Sequence, residues 1–125
     1  MISINRDADT TIQSVKHKVS AFVSYRNWEQ FHDLKNLSMA ISSETAELME
    51  HFLWLKNDES LSALEKNKAK IEEEIADIAI LLLDFCNTAD IDLANAIENK
   101  LLINDAKYPV ELSKNCSKKY SDLGG

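Results

Sequence analysis

Two glycines and one proline in 125 residues leave the chain almost without chain-breaking residues. An all-β fold needs frequent turns, so this scarcity argues against one and points to long helices. Cysteine is equally scarce: Cys86 and Cys116 match neither a metal-ligand spacing nor a disulfide framework, and read as one core thiol and one tail thiol. Positive charge is in deficit, with 14 Lys and Arg against 21 Asp and Glu, a formal net charge of −7. Such a surface repels nucleic acid polymers and anionic membranes. Long apolar runs are missing too. The longest, IAILLL before Asp84, falls far short of the roughly 20 residues that span a bilayer. The opening MISINRDADT is too polar for a signal peptide. The default expectation is a single soluble domain in a reducing cytoplasm.

What is present is helical periodicity. Residues 1–9 read as a loose arm. A first helix is expected from about Thr10, capped by Asp9 or Thr10, with Ile12, Val15, Val19 and Phe22 as its apolar stripe. The aromatic and polar stretch Tyr25 to Asn36 has no clean period and reads as a connector. A second helix is expected from Leu37 to Trp54, and a third from about Ala63 to Thr88 after a polar break. A fourth starts near Asp90–Asp92 and stops before Tyr108-Pro109, where proline ends it. Residues 110–125 read as an irregular tail.

Two of these helices carry acids on the wrong face. At about 100° per residue, Leu37, Ile41, Leu48, Phe52 and Leu55 align on the second helix. Glu44 lies within that stripe, with Glu47 and His51 to one side. On the third helix Ile71, Ile75, Ile78, Leu82 and Phe85 align; Glu74 lies within the stripe and Asp77 on its flank. Each pair is spaced i,i+3, which places both carboxylates on one side. Burying a carboxylate is costly, and burying several together is worse because like charges oppose each other's ionisation. A cluster of hard oxygen donors suits Mg²⁺ or Mn²⁺. Lys or Arg partners would offer a purely structural solution. His51 reads first as a hydrogen-bonding group behind the acids rather than a ligand, and the Glu-x-x-His pairs of di-iron bundles are missing. From Ile78 to Phe85 the third helix is apolar nearly all round, which predicts burial on every side and hence a homo-oligomer.

These residues resemble the MazG-like nucleoside triphosphate pyrophosphohydrolases of the all-α NTP pyrophosphatase group. That family's hallmark is E-x-x-E, a spacer and E-x-x-D; here Glu44, Glu47, Glu74 and Asp77 stand in those places. The segments NWEQFH (Asn27 to His32), ETAELMEHFLW (Glu44 to Trp54), EEIAD (Glu73 to Asp77) and IDLANAIENKLLINDAKYP (Ile91 to Pro109) extend the likeness toward the small single-domain subtype that includes dCTP pyrophosphatase.

The resemblance implies an all-α, four-helix bundle completed by assembly into a dimer or tetramer. It implies Mg²⁺-dependent hydrolysis between the α and β phosphates, with Mn²⁺ a substitute, and removal of unwanted nucleotides. Glu44, Glu47, Glu74 and Asp77 would be metal-binding and catalytic, one of them also orienting water. Trp28, His32, Trp54, Lys100 and Asn104 would contact substrate. Val19 and Leu81 replace a His and a Tyr found near base or sugar in the dCTP-preferring relatives, which leaves dCTP and dATP both open. The rival readings are a non-enzymatic helical interaction protein with a structural acidic core, and a different carboxylate metalloenzyme.

Overall fold

The structure is a computed structural model that describes residues 5–123; the first four residues of the expected arm and the last two of the tail lie outside the described residues. It is all-α, with no strand among the described residues. Four long helices appear where four were expected: α1 (Ile12–Tyr25), α2 (Leu34–Glu50), α3 (Ser60–Ala89) and α4 (Leu93–Lys107). A short α5 (Val110–Ser113) and a 3₁₀ turn at Tyr120–Asp122 give the tail more order than its sequence suggested. The chain divides into two compact units, one ending at Ile91 and one beginning at Asp92.

Short polar side chains set the boundaries. Thr11, one or two residues beyond the expected cap, accepts from the Ser14 N–H at 3.0 Å and opens α1. Asp33 accepts from the Asn36 N–H at 2.8 Å, so α2 begins three residues earlier than its apolar period indicated. It also ends earlier, at Glu50, and the chain turns through Trp54 at a φ of 65°. A 3₁₀ turn at Asn57–Glu59 leads directly into α3, whose first segment meets the rest at a kink centred on Asn67 (φ −119°, ψ 23°). Asp90 ends α3 in the left-handed conformation (φ 54°, ψ 49°), which Asp tolerates better than most residues.

In the first unit α3 packs along both α1 and α2. Val19 and Val23 from α1, Leu37 from α2, and Ile71, Leu83 and Cys86 from α3 are the buried apolar residues. The far end of α3 is tied to α1 by Lys16, whose Nζ donates to the Ile91 carbonyl at 2.8 Å, and by Asn87, whose amide donates to the Lys16 carbonyl at 2.9 Å. The inward stripe of α3 is shifted from the expected one. Leu83 and Cys86 are buried, whereas Ile75, Ile80 and Leu82 are exposed in the isolated chain. Where a helix is apolar nearly all round, periodicity does not choose which side meets α1 and α2.

In the second unit Asp92 caps α4 through the Asn95 N–H at 2.9 Å. Tyr108 meets Tyr120 edge to face with ring centroids 6.3 Å apart, and the Lys107 ammonium lies 4.7 Å from the Tyr120 ring.

Leu37 is 2% exposed and central to this small core. Leu37→Ala is expected to lower the free energy of unfolding by about 2–5 kcal/mol, read as a lower urea midpoint with unchanged slope.

Candidate active site

The packing of α2 against α3 brings the two acidic pairs into electrostatic contact. Glu44 and Glu74 are half-buried, while Glu47 and Asp77 are exposed. One oxygen of each inner acid, Glu44 Oε2 and Glu74 Oε2, is shielded from water and has no hydrogen-bond partner among the described residues. Buried carboxylate oxygens are normally satisfied, so two orphans from facing helices mark a site that lacks something. Among the described residues neither lysine nor arginine pairs with them; the ion pairs of α3's Lys68 and Lys70 go to the exposed Glu72 and Glu73. His51 Nε2 stands 3.8 Å from Glu74 Oε2, behind the acids as its sequence position suggested.

The Glu44 carboxyl is held above its ordinary value of 4.5. A hydrogen bond shared with the Glu47 carboxyl contributes most, then loss of hydration on burial, then repulsion from Glu47, Asp77 and Glu74. All four acids are therefore coupled at Glu44. Their donor set is entirely oxygen, which suits a hard divalent cation. Among the described residues no three His, Cys, Asp or Glu side chains form a ready-made ion-holding group. The fit rests instead on the donor chemistry and the two orphaned oxygens.

An aromatic corner lies beside the acids. Asn27 turns the chain out of α1 at a φ of 53°, and the Trp28 N–H returns to the Val23 carbonyl at 3.1 Å. The Trp28 ring packs edge to face on Phe22 at 5.8 Å and lies 5.9 Å from the His32 ring. The Arg26 guanidinium covers the opposite side of this cluster, 3.6 Å from the Phe22 centroid. Trp28, His32, Glu44 and Asp77 share one open cleft of about 210 Å³, with Leu81 and Asp84 on its α3 wall. Of the two substitutions noted in the sequence, Leu81 faces this cleft and Val19 is core, 6% exposed.

Trp54 is not one of the residues that line this cleft. Trp54 is 97% exposed on the turn after α2. Lys100 and Asn104 lie four residues apart on α4, in the second unit, the Lys exposed and the Asn half-buried. Conversely, the sequence reading gave no role to Asp84. It is 5% exposed, and its Oδ2 accepts from His32 Nδ1 at 2.6 Å. A lone acid inside an apolar run was the available signal.

An all-α chain with coupled carboxylate pairs on adjacent helices and an aromatic cleft beside them defines a class of helical acidic-site proteins. The chain belongs to the MazG-like family, whose model matches residues 39–123. It is similar to dCTP pyrophosphatase 1 of Rattus norvegicus, with 33% identity over 117 residues, covering 92% of this chain and 69% of that protein. The Homo sapiens protein of the same name is 32% identical over 117 residues, with the same coverage. Among solved structures, a pyrophosphatase from Archaeoglobus fulgidus superposes with a TM-score of 0.76 at 36% identity, covering 87% of this chain and 99% of that one.

The raised Glu44 pKa has a consequence for stability. Folded protein binds that proton more tightly than unfolded protein does, so stability falls as pH rises above about 4.5 through the folded-state value. In metal-free protein, Glu44→Gln is expected to raise the melting temperature at neutral pH, with the gain shrinking as pH is lowered toward 4.5. Thermal melts in chelator across that range check it.

Proposed function

We infer that this chain is a nucleoside triphosphate pyrophosphohydrolase, cleaving between the α and β phosphates to give a monophosphate and pyrophosphate. The observation that carries the reading is the pair of orphaned carboxylate oxygens, Glu44 Oε2 and Glu74 Oε2, beside an aromatic cleft. Membership of the MazG-like family and the pyrophosphatase names of its relatives support it.

In this reading Glu44, Glu47, Glu74 and Asp77 hold Mg²⁺, or Mn²⁺ in its place. When bound, the metal neutralises triphosphate charge and acidifies a coordinated water. The four carboxylates would hold that cation, which an acidic chain needs because it offers a polyphosphate little positive charge of its own. One of them also orients the attacking water. Trp28 stacks on the base, and His32 touches its edge. Trp54 is assigned to substrate as well, and Lys100 and Asn104 to phosphate, on their match to the family pattern; Lys supplies charge and Asn a hydrogen bond.

The physiological role is clearance of deoxynucleotides, with dCTP or dATP favoured. The whole chain acts as one catalytic domain. Exposed Ile75, Ile80 and Leu82 on α3 support a homodimer or homotetramer. No helix among the described residues is long and apolar enough to cross a membrane. The free thiols of Cys86 and Cys116 suit a reducing cytoplasm, and the acidic surface disfavours nucleic acid polymers and membranes as partners.

Pyrophosphate release from a panel of dNTPs and NTPs, with Mg²⁺ and with chelator, tests the reaction. Release is expected with Mg²⁺ and lost with chelator. Glu47→Gln and Asp77→Asn are each expected to reduce turnover by more than the roughly 10–100-fold typical of an outer-shell group, with the melting curve retained. A folded protein inactive on every nucleotide with either metal would favour the interaction-protein reading. Trp28→Ala is expected to raise KM by the equivalent of about 1–3 kcal/mol, with a smaller effect on kcat, as steady-state kinetics would show.

A further inference from the structure

Asp84 is an expensive residue where it stands. It is 5% exposed on the stretch of α3 that supplies Leu83 and Cys86 to the core. A carboxylate there loses its hydration, and an apolar side chain would pack without that cost. Among the described residues its side-chain hydrogen-bond partner is His32 alone, through a 2.6 Å bond from Nδ1 to Oδ2. His32 comes from a segment 52 residues away in sequence, just before α2. The pair borders two clefts. One, of about 210 Å³, contains Trp28, Glu44 and Asp77; the other, of about 260 Å³, contains Ser20, Glu29 and Asn87.

An ionised carboxylate only accepts hydrogen bonds. Asp84 therefore keeps a proton on His32 Nδ1 and leaves Nε2 as the ring nitrogen available to another group. In the neutral ring Nε2 carries a lone pair. The ring also lies 5.9 Å from Trp28 at a 48° tilt, so a flat aromatic wall and an imidazole edge meet at one corner. A base stacked on Trp28 would present its edge to that nitrogen.

Taking the cleft as the base pocket of the proposed pyrophosphohydrolase, we propose that Asp84 is a positioning residue for base selection. It locks His32 with Nε2 as an acceptor, which favours the bases with an amine at pyrimidine C4 or purine C6, cytosine and adenine, over those with a carbonyl oxygen there, thymine and guanine. An amine donates to Nε2, whereas a carbonyl oxygen at the same place sets lone pair against lone pair. Loss of Asp84 frees the imidazole to present either tautomer.

The test is kcat/KM for dCTP, dATP, dTTP and dGTP with Mg²⁺, on wild type, Asp84→Asn, His32→Ala and the double variant. Wild type is expected to prefer the amino bases. Asp84→Asn should compress that preference by about fivefold to tenfold, the scale of one hydrogen bond, mainly through KM. The double variant should be no less selective than His32→Ala alone. Nitrogen-15 NMR of the His32 ring in wild-type protein is expected to show the proton on Nδ1, a readout that needs neither turnover nor a folded variant. A wild-type ring protonated on Nε2, whether alone or on both nitrogens, a wild-type preference for dTTP and dGTP, or an Asp84→Asn enzyme with unchanged base ratios and only a lower melting temperature would each overturn the proposal. Wild type inactive on all four nucleotides would instead remove the pyrophosphohydrolase reading and this inference with it, a result distinct from an active enzyme with unaltered selectivity.

Discussion

Like charges forced together between two helices are the constraint on which this molecule turns. Glu44 and Glu74 sit where α2 meets α3, at positions where an ordinary bundle would place leucine. Among the described residues their inner oxygens meet no donor, and the Glu44 carboxyl is held above its ordinary value by Glu47, by burial and by the neighbouring acids. A fold shaped for stability alone would not retain this arrangement, because an apolar pair of similar size would pack at lower cost. The bonds among Lys16, Asn87 and Ile91 hold α1 to the far end of the same α3 that carries Glu74.

The same economy explains the aromatic corner. A left-handed Asn27 follows the end of α1, and the chain folds back so that Trp28 and His32 line a cleft with Leu81 and Asp84 of α3. Asp33 then starts α2 at once, with Asn36 also donating to the Phe31 carbonyl at 3.1 Å. Few residues are spent between the helices, so the cleft wall is rigidly linked to both. Asp84 completes the wall from the third side. Its buried carboxylate destabilises the core locally and orders an imidazole that no other group holds. Polar burial at the acids and at Asp84 leaves a thin apolar core in the first unit, and this accords with the apolar side chains that α3 leaves uncovered.

Much of this was legible in the chain. The four long helices followed from periodicity and from the lack of glycine and proline, and the i,i+3 acids stood out because they interrupted apolar stripes. Helical spacing put His51 on the side of Glu47, and only packing brought it to 3.8 Å from Glu74. Less legible were the helix ends. Asp33 capping overrode the apolar period at the start of α2, and the turn through Trp54 cut its end short. The inward side of α3 was misjudged at Ile75 and Leu82, because a helix apolar on most sides offers a periodicity rule no contrast to work with.

By itself the sequence determined the all-α class, the two acidic pairs and the family pattern that includes them, since each depends on residue type and on spacing within one helix. The tertiary structure decided which of those residues meet. Residues 32 and 84 belong to segments with no local relation, and only the packing of α3 against the turn before α2 places an imidazole within 2.6 Å of a buried carboxylate. The orphaned oxygens of Glu44 and Glu74 likewise arise only when two helices exclude water from the same seam. Desolvation belongs to the packed interface, and no single segment carries it.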